Sequence, residues 1–371
     1  MNQIRRIGIL TGGGDCPGLN AVIRAVVKAG IVHHGLEVVG IEDGYLGLIQ
    51  NRMHLMDLSE VSGIHIIGGT ILGSSNKADP QAFAMQVEGQ WVKRDVTADV
   101  LSHCRQWQLD ALVVIGGDGT MAGASHLIAQ GLRVVGVPKT IDNDLEGTEI
   151  TFGHDTAVTT AAEALDKIHT TASSHHRVMV VEIMGRYAGW LALRAGLASG
   201  ADVILIPELP FDIDAVCEAC LRRSKVGKRF TIIAVGEGAR PAGGDMIVHH
   251  VDPSSPDPIR LGGIAEFVAD QVEQRTHLES RSMALGYVQR GGTPTPHDRI
   301  LATLLASHAV DLLISGRFNE LVVVREGRIG SVPIRSIAGK VRTVPLDDPL
   351  IRAARAVGTS FGETVPPCPP R

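Results

Sequence analysis

The stretch ALVVIGGDGT, residues 111–120, joins a short apolar run to a glycine-rich loop that contains one carboxylate, Asp118. The apolar half is typical of a strand that is buried on both faces of a parallel sheet. Read with Ala122, the loop is a weak match to a dinucleotide-binding pattern, but Asp118 would repel a pyrophosphate unless a metal ion lay between them. Mg²⁺ binds through few carboxylates together with phosphate oxygens, so we favour a metal–phosphate loop over an ordinary turn.

The same arrangement, an apolar run followed by glycine and polar residues, recurs along the chain. Strands are predicted at Ile7–Leu10, Val38–Ile41, Ala111–Ile115, Val134–Val137, Val178–Ile183, Ile232–Val235 and Ala284–Val288, with helical patterns such as Leu19–Val32 and Ala157–Thr170 between them. Alternating strands and helices predict two doubly wound, Rossmann-like α/β domains. In such sheets ligands bind beyond the carboxyl ends of the strands, where the polar loops of this sequence are expected.

The composition excludes several classes of protein. With 371 residues, 44% hydrophobic and 20% charged, the chain is expected to form a packed globular protein of two domains. Its formal net charge of −5 gives no reason to expect nucleic acid or an anionic membrane as a partner. No apolar run reaches the roughly 18 residues that a membrane helix needs, and the N-terminus lacks the features of a signal peptide. An odd number of scattered cysteines suits a reducing cytoplasm.

Two proline-rich segments are predicted to lie outside the regular structure. DPSSPDP, residues 252–258, has the composition of turns and is expected to be a surface loop. VPPCPPR, residues 365–371, cannot form a helix or a central strand and is expected to be disordered.

Two further loops carry groups suited to phosphate chemistry. TGGGDCPGLN, residues 11–20, lets the backbone approach a phosphate closely, although a tight strand-to-helix turn is the alternative. It is neither a Walker loop nor a dinucleotide fingerprint, because no Gly-Lys-Ser/Thr follows and Pro17 occupies the third glycine position. PKTIDND, residues 138–144, places Asp142 and Asp144 on one side if it is extended. A carboxylate there can accept a proton from an attacking hydroxyl, although DND alone is also a common turn.

Arginines suggest a second phosphate site. Arg177, Arg186, Arg281 and Arg290 are all expected at the carboxyl ends of predicted strands. Arginine binds phosphate through paired hydrogen bonds that lysine cannot match. A single arginine after a strand is most often a solvated surface residue, but four at one edge indicate a sugar-phosphate site.

Together, these loops resemble the 6-phosphofructokinase family. The matching motifs are TGGGDCPGLN, EDGYLGL, GGTILGS, GGDGT, PKTIDND, SSHHR, MGRYAGW, GEG and LGYVQRGG with PTPHDR, which span Thr11 to Arg299. GGDGT is shared with NAD kinases and diacylglycerol kinases, whereas PKTIDND with MGR and QRGG is very specific. The resemblance implies transfer of a phosphoryl group to the 1-hydroxyl of fructose 6-phosphate, with Mg²⁺ as cofactor.

The resemblance also implies roles for individual residues. It assigns Asp142 as the catalytic base, with Lys139 and Thr140 beside it, and Asp118 as the Mg²⁺ ligand. The donor would be bound by Gly14, Asn76, Lys77, Gly117, Asp118, Gly119 and Thr120. The sugar phosphate would be bound by Thr140, Asp142, Asp144, Met184, Gly185, Arg186, Glu237, Tyr287 and Arg290, and from a neighbouring subunit by Arg177 and Arg281. The protein is therefore expected to be a homo-oligomer, a dimer or a tetramer.

The sequence departs from the family pattern at several positions. Asn76, followed by Lys77, stands where bacterial ATP enzymes have an arginine, so Lys139 is a candidate for the missing positive charge. Tyr287 replaces a histidine of many bacterial ATP enzymes. The bacterial effector site is matched in part: Arg24, Lys28 and Lys228 fit it, whereas Leu58 and His169 stand where arginines are usual. We therefore expect a weak or absent response to nucleotide or phosphoenolpyruvate effectors.

The choice of phosphoryl donor depends on two positions. Family members that use pyrophosphate carry Asp in place of Gly119 together with Lys139, whereas bacterial ATP enzymes carry Gly at both positions. This chain combines Gly119 with Lys139. We expect ATP as the donor, because Gly119 leaves space for the α-phosphate and Lys139 is compatible with either donor. Pyrophosphate remains the alternative, and a non-catalytic regulatory homologue is a remote one.

The motifs also suggest how the chain divides. Residues 1–153 plus 289–335 are expected to bind the donor, and residues 154–288 plus 336–371 the sugar phosphate, with the active site in the cleft between the two domains.

Overall fold

The computed structural model describes residues 4–363. Its strands are β1 (Arg6–Thr11), β2 (Glu37–Ile41), β3 (Met53–Leu55), β4 (Phe83–Val87), β5 (Gln90–Arg94), β6 (Ala111–Gly116), β7 (Val134–Pro138), β8 (Val178–Ile183), β9 (Val203–Leu205), β10 (Thr231–Gly236), β11 (Val248–Val251), β12 (Ile259–Leu261), β13 (Ser280–Ala284), β14 (Glu320–Arg325) and β15 (Arg328–Pro333). The prediction for VPPCPPR concerns residues 365–371, which lie outside the described residues.

The helices alternate with these strands. They are α1 (Leu19–Lys28), α2 (Tyr45–Gln50), α3 (Thr97–Gln106), α4 (Asp118–Ala129), α5 (His154–His175), α6 (Trp190–Ala198), α7 (Ile213–Lys225), α8 (Ile264–Thr276), α9 (Pro296–Ile314), α10 (Ile334–Ile337) and α11 (Pro349–Ala356). A π-helical turn at Ala29–His33 continues α1, and 3₁₀ turns lie at Ile64–Ile66 and Gly286–Arg290.

The described chain forms two compact units. Unit 1 comprises residues 4–156, 252–258 and 290–342, and unit 2 comprises residues 157–251, 259–289 and 343–363. The segment 252–258, expected to be a surface loop, is grouped with unit 1, although β11 and β12 on either side of it belong to unit 2. The two domains as delimited from the sequence remain a prediction.

Unit 1 is built on a seven-stranded sheet in the order β15-β14-β7-β6-β1-β2-β3. The pairings among β14, β7, β6, β1 and β2 are parallel, and β15 and β3 are antiparallel edge strands. Every residue of β6 and β7 is buried, as expected for central strands covered by helices on both faces. A separate hairpin pairs β4 with β5.

Unit 2 is built on a smaller sheet in the order β13-β8-β10-β9, in which all pairings are parallel. Its core is formed by residues of β8, β9 and β10 together with α7 and α8, among them Val180, Ile233 and Val268. The hairpin of β11 and β12 pairs outside this sheet. Both units therefore have the parallel α/β architecture predicted from the alternating motifs.

One predicted strand is wrong. The run Ala284–Val288 is not extended: β13 ends at Ala284, and a 3₁₀ turn begins at Gly286. The cause is local, because Gly286 has a φ of 53°, in the left-handed region, and turns the chain away from the sheet. Tyr287 and Val288 are then exposed, at 77% and 61%, rather than buried in a strand.

Within the described residues, no helix is both long and apolar enough to cross a membrane.

Candidate active site

Three loops of unit 1 begin at the same edge of its sheet. β1, β6 and β7 are parallel neighbours, so the loops that follow them all start at carboxyl ends. Backbone hydrogen bonds extend this pairing into the loops, from Gly12 N to Ile115 O at 2.8 Å and from Lys139 N to Gly116 O at 3.0 Å. The structure therefore places the motifs TGGGD, GGDGT and PKTIDND side by side.

The loop between β1 and α1 needs glycine for two separate reasons. Gly13 and Gly18 have φ values of 80° and 105°, a conformation that residues with a side chain rarely adopt. At Gly14 the reason is close approach: a Cβ atom there would lie 2.6 Å from Nη1 of Arg290, so this guanidinium group would have to move aside. Arg290, which the sequence assigns to the sugar phosphate, thus lies against the predicted donor loop in unit 1.

Lys139 is buried, with 4% of its surface exposed, at the end of β7. Its Nζ atom donates a hydrogen bond of 2.5 Å to the Gly14 carbonyl oxygen. Burial lowers the pKa of the Lys139 ammonium, and the Arg290 guanidinium adds to this effect, whereas Asp142 acts in the opposite direction. The Lys139 side chain therefore joins the loop after β1 to the loop after β7.

The GGDGT motif forms the start of α4. Gly117 is the extended residue before the helix, and Asp118 is its first residue. A Cβ atom added at Gly119 would meet no atom within 4 Å, so the space beside this residue is open. Tyr45, from the EDGYLG motif, is buried and donates a hydrogen bond of 2.7 Å to the Thr120 carbonyl oxygen, which anchors this helical turn.

In the PKTIDND loop, the carboxyl group of Asp144 lies in the electrostatic field of two other carboxylates, Asp142 and Asp118. Burial, followed by the carboxylates of Asp142 and Asp118, raises the pKa of Asp144 to about 8. Thr140 Oγ1 accepts a hydrogen bond of 3.1 Å from the Asp142 backbone, and Asp142 is only partly buried. Asp142 is therefore more accessible to solvent than Asp144, which is buried.

Asn143 shows how this loop is held, and sequence reasoning missed it. The residue is fully buried with a φ of 53°, which asparagine tolerates better than most residues. Its side chain donates to Glu149 O at 3.2 Å and accepts from Thr151 N at 3.0 Å. Arg342 in turn donates to the Asn143 carbonyl oxygen at 3.0 Å. The middle residue of DND is thus structural, which leaves the flanking carboxylates for chemistry.

The acidic residues of unit 1 fit a Mg²⁺ ion that is carried mainly by phosphate. No group of three or more His, Cys, Asp or Glu side chains in the described part of the chain has the arrangement of a protein-only metal cage. Asp142 and Asp118 instead both act to raise the pKa of Asp144, and a divalent cation would relieve this repulsion between carboxylates. Mg²⁺ is usually held by one or two carboxylates, phosphate oxygens and water, which agrees with this set.

The predicted donor residues Asn76 and Lys77 are both exposed. Lys77 Nζ lies 3.3 Å from Asp252 Oδ2 and donates a 3.1 Å hydrogen bond to Ser254 Oγ. These partners come from the segment 252–258, whose composition predicted only a surface loop.

In unit 2, the predicted sugar-phosphate residues after β8 and β10 lie together. Glu237 Oε1 accepts hydrogen bonds from Arg186 N at 2.8 Å and from Gly185 N at 3.3 Å. Gln289, which is fully buried, accepts one of 3.3 Å from Met184 N. Gly185 has a φ of 150°, and a Cβ atom there would lie 2.6 Å from the Ala188 carbonyl oxygen. The MGR turn is therefore shaped by Glu237, which was predicted, and by Gln289, which was not.

The expectation that all four arginines lie at the carboxyl ends of strands is wrong. Arg177 immediately precedes β8, and Arg281 is the second residue of β13, its parallel neighbour. Both therefore lie at the amino ends, about 20 Å from Met184 along the six residues of β8 at roughly 3.3 Å per residue. Within the subunit, their partners are acidic: Glu279 Oε1 lies 2.8 Å from Arg177 and 2.7 Å from Arg281.

The residues compared with the bacterial effector site fall in both units. Arg24, Lys28 and Leu58 belong to unit 1, and His169 and Lys228 to unit 2. The His169 ring packs edge-on against Phe230, with centroids 4.7 Å apart. His169 and Lys228 act with Arg223 to counter the effect of burial, which raises the pKa of Asp202. His169 therefore has aromatic and acidic neighbours within its own unit.

This fold and these loops define a class: an α/β protein of two Rossmann-like units with phosphate-binding loops at the carboxyl ends of its strands. A family model for phosphofructokinase matches residues 6–313. The chain belongs to the phosphofructokinase family.

Relatives with two different donors in their names are similar to the chain. ATP-dependent 6-phosphofructokinase 2 of Clostridium perfringens (strain 13 / Type A) is 48% identical over 368 residues, covering 98% of this chain and 100% of the relative. Pyrophosphate–fructose 6-phosphate 1-phosphotransferase of Amycolatopsis methanolica is also 48% identical, over 342 residues, covering 92% of this chain and 96% of the relative. Two further relatives named ATP-dependent 6-phosphofructokinase are 46% and 44% identical over 98% and 97% of this chain, so the relatives taken together support ATP as the donor.

Solved structures agree with the fold. Phosphofructokinase of Pichia pastoris in the T-state matches with a TM-score of 0.76 and 32% identity, covering 91% of this chain. The chain spans only 36% of the length of that protein. A pyrophosphate-dependent phosphofructokinase of Nitrosospira multiformis matches with a TM-score of 0.79 at 20% identity, covering 98% of this chain and 94% of its own, and supports the fold alone.

Proposed function

We propose that the protein is an ATP-dependent 6-phosphofructokinase, which transfers the γ-phosphoryl group of Mg-ATP to the 1-hydroxyl of fructose 6-phosphate. The observation that carries the choice of ATP is the open space beside Gly119, where an added Cβ atom meets nothing within 4 Å. An aspartate at this position would bring negative charge and volume to the donor loop, whereas glycine leaves room for the α-phosphate and frees backbone N–H groups.

Asp142 is the proposed general base. It is partly exposed, and its backbone is fixed by Thr140 and by the buried Asn143. In this role its carboxylate accepts the proton of the 1-hydroxyl as that oxygen attacks the phosphoryl group. Positioned proton transfer of this kind contributes roughly 10²–10⁴-fold to a rate.

Positive charge for the transferred phosphoryl group is proposed to come from Lys139 and Arg290, both of which lie against Gly14. This proposal places Arg290 closer to the transferred group than its sugar-phosphate assignment suggests. Asp118 would hold Mg²⁺, which when bound neutralises charge on the donor phosphates. The proposed donor site of unit 1 also includes Thr140, Gly117 and Thr120, which belong to the same motifs.

The sugar phosphate is proposed to bind to Met184, Gly185, Arg186, Glu237 and Tyr287 of unit 2. The positions of Arg177 and Arg281 at the opposite ends of the same strands support a role for them in the site of a neighbouring subunit, and hence a homo-oligomer. Arginine pairs are well suited to a phosphate monoester.

Pyrophosphate is the second candidate donor, because Lys139 is compatible with both donors and the Amycolatopsis methanolica relative, whose name gives pyrophosphate, is 48% identical over 92% of this chain. The test is a coupled assay of fructose 1,6-bisphosphate formation from fructose 6-phosphate and Mg²⁺ with ATP, with pyrophosphate or with neither. Turnover with ATP and little with pyrophosphate supports the proposal. Turnover with pyrophosphate alone would show that pyrophosphate, and not ATP, is the donor. No turnover with either compound would favour a non-catalytic homologue.

A further inference from the structure

The segment 252–258 contacts Lys77 through the side chains of Asp252 and Ser254. The Lys77 ammonium donates to Ser254 Oγ at 3.1 Å and lies 3.3 Å from Asp252 Oδ2. Asp252 Oδ1 accepts hydrogen bonds from Ser254 Oγ at 2.6 Å and from Ser254 N at 3.0 Å. Each of the three side chains therefore contacts the other two, and we call this set the Lys77 clamp.

Burial and charge suit Asp252 and Ser254 to hold the Lys77 ammonium group. Ser254 is buried, at 6% exposure, and the Asp252 side chain is 22% exposed, whereas the Lys77 side chain is 57% exposed. The hydrogen bonds from Ser254, aided by Lys77, lower the pKa of Asp252 to about 2. Asp252 therefore stays ionised at neutral pH, and the exposed end of the set is the ammonium group.

The clamp is attached to the predicted donor loop. Gly13 N donates a hydrogen bond of 3.1 Å to Ser75 O, and Ser74 Oγ donates one of 2.5 Å to Gly13 O. Lys77 follows this attachment by two residues. It thus extends from a segment that is fastened to the loop after β1, while its side chain is fixed from the other direction by the segment 252–258.

We propose that Asp252 and Ser254 are positioning residues that hold the Lys77 ammonium for a phosphate group of the donor. The inference rests on the proposed function and extends it, because it makes the segment 252–258 part of the donor site. An ammonium group has three N–H donors, two of which the clamp uses, so a phosphate oxygen can accept from the third. Lysine depends on such contacts more than arginine does, because its ammonium group is a point charge at the end of a flexible stem. The planar guanidinium group of arginine, in contrast, has its hydrogen-bond donors in a fixed arrangement.

The test compares the full-length variants Asp252→Asn, Ser254→Ala and Lys77→Ala with the wild type. Equilibrium binding of Mg-ATP and of Mg-pyrophosphate is measured by calorimetry, and steady-state kinetics are measured in parallel. We expect Asp252→Asn to weaken binding of the working donor about fivefold or more, the scale of a lost charge-assisted contact, with kcat and the KM for fructose 6-phosphate nearly unchanged. Asp245→Asn, which removes an exposed carboxylate shortly before β11, is the matched control and should have no effect.

A double-mutant cycle separates positioning from a merely structural role. If Asp252 acts through Lys77, Asp252→Asn has no further effect in the Lys77→Ala background. The inference would be overturned if Asp252→Asn weakened donor binding equally in both backgrounds, or if it left donor binding unchanged. It would also be overturned if Asp252→Asn tightened donor binding by releasing the ammonium group. Donor binding by a wild type that does not phosphorylate fructose 6-phosphate would refute the proposed function while the cycle still tests the clamp. A wild type that binds neither donor would refute both.

Discussion

The Lys139 ammonium group donates a 2.5 Å hydrogen bond to the carbonyl oxygen of Gly14, and so joins the loop after β7 to the loop after β1. The group is buried, and burial lowers its pKa, so holding a proton there costs folding free energy. The proposed function gives a reason for this cost, because Lys139 would offset the negative charge of a transferred phosphoryl group.

Replacing Lys139 with methionine should therefore separate stability from activity. We expect Lys139→Met to raise the melting temperature by about 2 °C, because an apolar side chain of similar length avoids the desolvation of the ammonium. It should lower kcat at least about a hundredfold, because the charge on the phosphoryl group is no longer offset. Thermal unfolding and steady-state kinetics measure the two effects, with the exposed Lys167→Met as control. A destabilised variant with normal kcat would assign Lys139 a structural role instead.

Asp142 should be essential for turnover but not for donor binding. Asp142→Asn keeps the shape of the side chain and removes the base, so kcat should fall at least about 10²–10⁴-fold. The affinity for Mg-ATP should change little. Asp142→Glu, which retains a displaced carboxylate, should keep more activity than Asp142→Asn. Retention of more than about a tenth of wild-type turnover by Asp142→Asn would exclude it as the base.

Arg177 and Arg281 should act in the site of a neighbouring subunit. Each of Arg177→Ala and Asp142→Asn is expected to be nearly inactive alone at moderate fructose 6-phosphate concentrations. When the two variants are dissociated and reassembled together, hybrid oligomers contain sites with an intact Asp142 and an intact neighbouring Arg177, so activity should reappear. Failure of mixed oligomers to recover activity, with hybrid formation shown by native mass spectrometry, would place Arg177 in the site of its own subunit or remove it from catalysis.

Effector control should be weak. Leu58 and His169 replace two arginines of the bacterial effector site, and His169 packs against Phe230. The two replacements remove two guanidinium groups, so that of the expected cations Arg24, Lys28 and Lys228 remain for a nucleotide or phosphoenolpyruvate. The half-saturating concentration of fructose 6-phosphate is expected to shift less than about tenfold with either compound, which is roughly 1.4 kcal/mol of coupling. A larger shift would show that other cations form an effector site.

The stability of the protein should depend on Glu208 in a pH-dependent way. Glu208 accepts hydrogen bonds from Gly189 N and Val344 N, and burial raises its pKa above the ordinary value of 4.5. Above pH 4.5, the unfolded chain releases this proton while the folded chain retains it, so folding stability falls as pH rises through that window. Glu208→Gln cannot titrate, so its denaturation midpoint should fall less than that of the wild type between pH 4.5 and 7. Equal losses in both proteins would contradict this prediction.

The glycine-rich loops and most buried strands could be predicted because their signals are local. An apolar run and the glycines after it identify β1, β6 and β7 and the loops that meet at their carboxyl ends. Arg177 was nevertheless assigned to the wrong edge, although the predicted strand Val178–Ile183 begins directly after it. An apolar run does not reveal where a strand begins, so the strand near Ala284, and with it Arg281, was misplaced. Only the pairing of β13 with β8 fixes that start, at Ser280 beside Val178.

Residues that act through distant partners gave no signal in the sequence. Asn143 lies inside a motif whose carboxylates drew attention, yet its role depends on Glu149 and Thr151. Asp252 and Ser254 read as turn residues, and only folding brings them to Lys77. Such contacts join positions far apart in the chain, and spacing in the sequence carries no information about them.

The central claim is that Gly119 admits ATP to the donor loop, and kcat/KM for ATP and for pyrophosphate tests it most directly. Gly119 is in the first turn of α4 with open space around it, so Gly119→Asp should fold normally. Gly119→Ala is the control for size without charge. We predict that the wild type prefers ATP and that Gly119→Asp loses ATP turnover at least about a hundredfold with fructose 6-phosphate binding intact. A wild type that prefers pyrophosphate, or a Gly119→Asp variant that still uses ATP, would contradict the account.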